Sequence, residues 1–548
     1  MYPLSLEGIF FSTFVVIKIQ NALKNHIVVF SILILSAISC TDKPSETKGV
    51  FRYNEAAGIS SLDPIYARSQ ASIWPIHHIF STLVELDENL DIQPGLAYRW
   101  IAEDTVYTFF LRQNIKFHPH PAFADSQRFF TASDVVYSLE RLRDPKWSSP
   151  GSWTMQGVKS ITALSDSVVE IVLEKPFSPF LRLLSMKYCS IVPHEAVAYG
   201  EISFGEFPSG TGAYFLKRWI PSEKMILRRN HNYYEKLSEN GVESIVVRFI
   251  PDKLSAFLSF VKGDLDIISG MDVSYRDNIL DEFGELQKRY QSTMKLETTA
   301  YLNTEYLAFN LSRLQANNSP YANPLVRQAI HSIIDKDLLV KYILRGLGTP
   351  ANSGIIPPIL HGAELNEYQY SKSSALALLQ KAGYPNGKGL PELILTTNPG
   401  YQDMAEFVQN QASKIGIPIK VDVTPASTLR QQMATGKIDF FRASWIADYP
   451  DPENYMLLFY EHNWPPNGPN YSRFNSIAFN ELYEHLRNTD NVQRRDSLLK
   501  KMNAELELQN PIIPLFYDQV IRLSLHRVQH LPLHPLNLLD VRNVSLAP

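Results

Sequence analysis

From about residue 50 onward, short runs of β-branched and aromatic residues alternate with runs of helical period. No other feature of the chain restricts its fold as strongly. The strand-like runs include VYTFFLR (106–112), VVEIVL (168–173), MILRR (225–229), SIVVRFI (244–250) and IPIKVDV (417–423). Turn-forming residues bound each of them. Amphipathic stretches lie between. In TASDVVYSLERLR, Thr131 can cap a helix whose apolar stripe is Val135, Val136, Leu139 and Leu142. In NPLVRQAIHSII, Asn323 can cap, Pro324 suits the first helical position, and Val326, Ile330, Ile333 and Ile334 face a core. In SKSSALALLQKAG, Ser371 starts a helix and Gly383 stops it. This alternation predicts an α/β protein, in which ligands sit at strand ends and between domains. A repeat of roughly 20–50 residues is missing, which argues against solenoids and propellers.

The length, 548 residues, suggests about three to four domains at about 150 residues each. Hydrophobic residues make up 45% and charged residues 20%, enough apolar surface to bury several cores, so general disorder is excluded. The net charge is −4, and no Lys/Arg run exceeds two residues, so no nucleic-acid partner is expected. Two cysteines exclude a disulfide framework.

One of those cysteines follows an apolar run, IVVFSILILSAIS at 27–39. That run is shorter than the about 20 residues of a spanning helix and fits the about 7–15 of a signal-peptide core. Lys18 and Lys24 precede it, and small residues, Ala37 and Ser39, lead into Cys40. The segment is similar to the lipobox of bacterial lipoproteins, which implies a signal peptide at 1–39 and a lipid on Cys40. The place three before the cysteine holds Ala37 rather than the preferred Leu. TDKPSETKG then reads as a flexible tether, 40–49 in all. A second apolar patch at 9–17 lengthens the leader, so translation is expected to start after Met1. Cys189, in SMKYCSIVP, reads as a buried small hydrophobe.

Catalytic motifs are sparse. There is neither a G-x-S-x-G elbow nor an H-E-x-x-H pair, and GTGAY (210–214) lacks the Lys-Ser/Thr of a phosphate loop and reads as a glycine turn entering a strand. The histidine clusters, His77/His78, His118/His120 and His526/His530/His534, have no carboxylate or cysteine at helical ligand spacing, so neither a metal nor a cofactor is expected. One segment carries recognition chemistry: GKIDFFRASWIADYPDPENY (436–455). A strand there places Phe440, Arg442 and Ser444 on one face and Phe441, Ala443 and Trp445 on the other. Arg442 could hold a carboxylate, Asp448 an ammonium and Trp445 an apolar wall; a plain turn with a structural Arg is the competing reading. An enzyme using Asp448 and Asp451 lacks a nucleophile or metal set nearby in sequence.

Weak motifs in a fixed order add a resemblance. SLDP (61–64), PGLAYRW (94–100), YTFFLRQNIKFH (107–118), TASDVVYSLERLRDP (131–145), KPFSPFLRLLS (175–185) and PSGTGAY (208–214) come first. RRNHNYY (228–234), GDLDII (263–268), FNLS (309–312), VRQAIHSIIDKD (326–337), ALLQKAGYPNG (377–387) and SWIADYPDP (444–452) follow. Over nearly all of 51–523 the chain resembles the family 5 extracytoplasmic solute-binding proteins of ABC importers, which handle peptides and nickel. The oligopeptide-binding branch is nearest.

The resemblance implies a periplasmic-binding-protein-like α/β fold: two lobes with a cleft between them, plus a small inserted third domain. Lobe I would comprise 50–72, 205–300 and 516–548, with 73–204 inserted, and lobe II 301–515. It implies a lipid-anchored, monomeric receptor on the outer face of a membrane, a permease and an ATPase as partners, and no chemistry done to the ligand. Asp448 matches the family's Asp that pairs with a peptide ammonium, Arg442 an Arg that meets the carboxylate of shorter peptides, and Trp445 an aromatic lining the site. The loop after SLDP, with Arg68 and Gln70, would contact the ligand. Arg68 stands where an acidic residue sometimes occurs, which keeps open a non-peptide solute such as a metal chelate, haem, a sugar or a murein peptide.

Overall fold

The computed structural model describes residues 49–123, 127–200, 203–281, 283–360 and 368–547. Cys40, the expected leader and the tether as far as residue 48 lie outside the described residues. No helix among the described residues is long and apolar enough to cross a membrane.

The strand-like runs form where β-branched and aromatic residues cluster. Val106–Leu111 and Val168–Leu173 pair at the centre of a four-stranded antiparallel sheet, flanked by Ala97–Glu103 and Val158–Ser165. A second four-stranded sheet runs in the order Val50–Asn54, Ser244–Arg248, Lys224–Arg229, Tyr214–Ile220. The largest sheet is mixed. Its order is Ile267–Ser269, Ile512–Leu525, Met294–Phe309, Phe440–Ile446, Leu393–Thr397, Ile419–Val423, with Thr349–Pro350 alongside Ile512–Leu525. Leu393–Thr397 pairs in parallel with both neighbours, and helices join those strands as βαβ units do.

The helices begin where their caps predict. Asn323 accepts from the Leu325 N–H at 3.0 Å and Ser371 from the Ser374 N–H at 3.1 Å. At Thr131 the box is reciprocal in sense: Asp134 accepts the Thr131 backbone N–H at 2.8 Å. Gly210 and Gly212 do more than turn the chain. A Cβ at either would collide with the carbonyl oxygens of Ile79 and His78, so only glycine lets this loop lie against the end of the helix Gln70–Ile79.

Three cores result. The first joins residues from Phe51 to Phe249 with Val528, Leu539, Val541 and Val544 near the C-terminus. The second spans Leu302 to Phe516 and also takes in Leu90, and the third is a smaller cluster around Phe257, Phe260 and Ile279. A fully buried side chain of this size contributes about 1.5–3 kcal/mol. Two strands belong to more than one core: Met294 and Leu523 pack in the third, whereas Leu307 and Ile513, on the same two strands, pack in the second. Their antiparallel register is interrupted between Ala300 and Thr304.

Candidate functional site

Phe440–Ile446 lies inside the mixed sheet, so Phe440 to Ala443 are buried on both faces. The strand ends in the turn that carries Asp448. The Ala447 N–H donates to Leu302 O at 2.8 Å, fixing the turn to the neighbouring strand. The fully buried Asn454 fixes it again: its Oδ1 accepts the Asp448 N–H at 3.1 Å and the Trp445 Nε1–H at 3.0 Å. The Asp448 carboxylate itself has no cation and no hydrogen-bond donor among the described residues. It faces a cavity of about 330 Å³. Solvent reaches it through that cavity, but protein surrounds it on most sides, and this desolvation pushes its carboxyl up to about 6.

Its neighbours in the same turn are different. Asp451 accepts from Arg495 at 2.5 Å and lies 3.8 Å from Arg182. Glu453 accepts the hydroxyls of Tyr449 and Tyr483. Asp451 is therefore an internal counter-ion, and the two-aspartate pair weighed from sequence is divided between two jobs.

The opposite wall comes from far away in sequence. Asp63 of the SLDP motif is buried and paired with Arg141 of the SLERLRDP motif, with Nη1 2.9 Å from Oδ1. Two motifs that look independent thus meet as one buried ion pair. That pair holds the loop whose next residues, Ala67 and Arg68, line the cavity. The helix Gln70–Ile79 adds Gln70, Ile73 and Trp74. Gln70 Nε2 and Trp74 Nε1 both donate to Asn537 O, at 3.0 and 2.7 Å, and Arg522 donates to the Asn537 side chain at 3.0 Å. The 3-10 turn Lys187–Cys189 supplies Lys187 and Tyr188. Tyr188 feels charges of both signs. Burial pushes its hydroxyl up to about 12, Asp448 adds to that and Arg68 opposes it. Cys189 is buried, its thiol pushed up to about 12 by desolvation.

Asp448, Arg68 and Gln70 therefore share one cavity, and Arg442 and Trp445 do not line it. Trp445 acts through Asn454 on the Asp448 turn. Arg442 is buried, its guanidinium bonded to Glu305 and lying 3.4 Å from the centroid of the Tyr401 ring. Burial raises the Glu305 carboxyl and Arg442 opposes that. The carboxylate expected on Arg442 from a ligand is thus supplied by the protein, because strand pairing sets Met294–Phe309 against Phe440–Ile446 with Leu307 opposite Arg442.

Sequence reasoning did not single out Glu305, Lys187, Tyr188 or Asn537. Glu305 carried a signal: a lone acid inside the apolar run YLNTEYLAF. Lys187 carried one in SMKYC, a lone cation two residues before the cysteine. The histidines are drawn into other contacts. His77 Nε2 lies 3.6 Å from Asp540, and His118 Nε2 lies 2.9 Å from Gly212 O. One group of possible metal-ligand atoms occurs among the described residues, Asp134, His194 and Glu195. The Arg128 guanidinium bridges Asp134 and Glu195 at 2.7 Å each, so an internal cation already serves those acids.

Residues 91–467 match the family described as bacterial extracellular solute-binding proteins, family 5 Middle. The chain is 27% identical to Heme-binding protein A of Haemophilus influenzae over 80% of this chain and 82% of that protein. It is 25% identical to the Dipeptide-binding protein of Escherichia coli over 85% and 89%. Among solved structures, DppA from Helicobacter pylori in complex with the peptide STSA superposes with a TM-score of 0.72 at 26% identity, covering 91% of this chain and 98% of that one. HbpA2 from Haemophilus parasuis gives 0.78 at 25%, covering 91% and 100%. The fold is the two-lobed one of periplasmic binding proteins, and the chain belongs to the family 5 bacterial extracellular solute-binding proteins.

Proposed function

We propose that this protein is the receptor of an ABC importer and that its cleft takes short peptides by their α-ammonium group. The observation that carries this reading is Asp448: a carboxylate on the wall of a cavity, open to solvent there, its pKa raised to about 6 and without a cation among the described residues. Burying a charge without its partner costs about 3–5 kcal/mol by mutational precedent. An ammonium removes that penalty, so closure of the cleft is favoured when a ligand brings one. The cavity, about 330 Å³, lies at the small end of the 300–1,000 Å³ usual for ligand sites, which suits peptides of a few residues. The peptide-named relatives point the same way.

The remaining parts of the reading follow from it. Lobe I is 50–72, 205–300 and 516–548, domain II is the inserted 73–204, and lobe II is 301–515. The two strands shared between cores, with their register break at Ala300/Thr304, are the place for a hinge. A lipid on Cys40 tethers the monomeric receptor beside a permease and its ATPase. Native mass spectrometry of the full chain purified from cells tests the ligand class. Adducts forming a ladder of small peptides, lost in Asp448→Asn, are expected. A single non-peptide mass overturns the peptide reading in favour of another solute, such as haem, a metal chelate or a sugar.

A further inference from the structure

The cavity that holds Asp448 also holds two cations without partners, and this chemistry restricts the ligand further than an ammonium alone. Arg68 leaves the protein from the loop after the Pro64–Tyr66 turn, and Lys187 from the turn beside Tyr188. Neither side chain makes an ion pair or hydrogen bond among the described residues. Arg68 is exposed toward the cavity and Lys187 is half-buried.

The other charged groups of the cavity are already engaged. Glu85 lies 2.9 Å from Arg542, and the same guanidinium binds Asp540 at 2.7 Å. Both acids attract Lys187 from a distance, but no carboxylate sits on its ammonium. Burial is the larger influence on it and lowers its pKa. His77 and His534 also line the cavity. Desolvation lowers both, His534 to about 4, so they are neutral near pH 7 and add no cation. What remains open to a ligand is one anion, Asp448, and two cations, Arg68 and Lys187. Tyr188 lines the same cavity as Asp448 and Arg68.

We infer that Arg68 and Lys187 form an acid-binding subsite, so that the preferred ligand is a short peptide with one ammonium and two carboxylates. One carboxylate is the C-terminus and the other an acidic side chain. A ligand with a single carboxylate leaves one of the two cations unpaired in the closed cleft. A guanidinium or ammonium bonded to a carboxylate makes short, charge-assisted hydrogen bonds, about twice as strong as neutral ones. Replacing the side-chain acid by its amide keeps shape and volume and removes only that charge. The inference rests on the peptide reading above and adds a preference within it.

The test is titration calorimetry on the full chain, stripped of co-purifying ligand, with matched pairs: Ala-Glu against Ala-Gln, and Ala-Ala-Glu against Ala-Ala-Gln. The acidic member is expected to bind at least tenfold more tightly in one or both pairs. One of the two variants, Lys187→Met or Arg68→Gln, is expected to reduce that ratio toward one, and the other, which loses the partner of the C-terminus, to weaken both members of a pair alike. Arg68 is exposed, so its variant stays informative if Lys187→Met fails to fold. Equal affinities within both pairs overturn the acid-binding subsite and leave the peptide reading standing. A preference that survives in both variants places the acid elsewhere and also overturns the assignment. Binding of no member of either pair overturns the subsite together with the peptide reading beneath it.

Discussion

Arg442 and Asp448 sit on the same strand and turn and both carry charge, yet the first is buried among protein groups and the second is exposed toward a cavity. Arg442 has its counter-ion inside the protein: Glu305 on the adjacent strand, with Tyr401 stacked on the guanidinium. Asp448 has only backbone anchors, and its carboxylate is left open to a cavity. A buried charge that is paired internally is part of the architecture. A charge that is held in place but has no partner among the described residues is, on the proposed reading, left for a ligand. Both are charged residues of one local segment, and burial and partner identity separate them.

The largest expected effect falls on the architectural member. Glu305→Gln leaves Arg442 buried without a carboxylate, and urea unfolding should show a loss of about 3–5 kcal/mol. Replacing both partners, Glu305→Leu with Arg442→Met, should recover much of that loss, because the desolvation of both charges disappears together. If Glu305→Gln kept full stability but lost peptide affinity, Arg442 would belong to the ligand site and the contrast would collapse.

Next comes the functional member. Asp448→Asn should lower peptide affinity at least tenfold by calorimetry and leave the ligand-free fold intact. A third effect is the pH response. The Asp448 carboxyl, pushed up to about 6, takes up a proton more readily in the folded protein than in the unfolded chain, where an Asp titrates near about 3.9. Its contribution to stability is therefore fully present below about pH 4 and is lost as pH rises through about 6. Ligand-free Asp448→Asn should gain on the wild type across that window in thermal melts, with no further gain above it. Peptide affinity of the wild type should fall as pH drops through about 6. A flat profile in both measurements would mean that the carboxyl is better solvated than its surroundings indicate.

The smallest effect is at Trp445. Trp445→Phe removes one hydrogen bond to Asn454, about 1 kcal/mol, while Asn454 keeps its bond to the Asp448 N–H. A few-fold loss of affinity with little change in stability is expected. A loss as large as that of Asp448→Asn would mean that the indole touches the ligand.

Much of this molecule was legible before any coordinates. Strand runs such as VVEIVL and caps such as Asn323 are local signals, and the structure keeps them. The turn that carries Asp448 was legible because it, with prolines on either side of Asp451, is local as well. Glu305 was not, because it meets Arg442 only through strand pairing across 137 residues. Asp63 and Arg141 illustrate the same limit across 78 residues: two motifs were readable, but the ion pair joining them was not. Local chemistry shows which residues can carry charge, and tertiary pairing decides which of those charges stay free.

The most direct test of that distinction is calorimetric titration of the full chain with Ala-Ala-Ala and its N-acetylated form, in wild type and Asp448→Asn. The account predicts that acetylation, which removes the ammonium, weakens binding to the wild type at least tenfold and changes little in the variant. Equal binding of both forms by the wild type would contradict it, because Asp448 would then not be the group that grips the peptide.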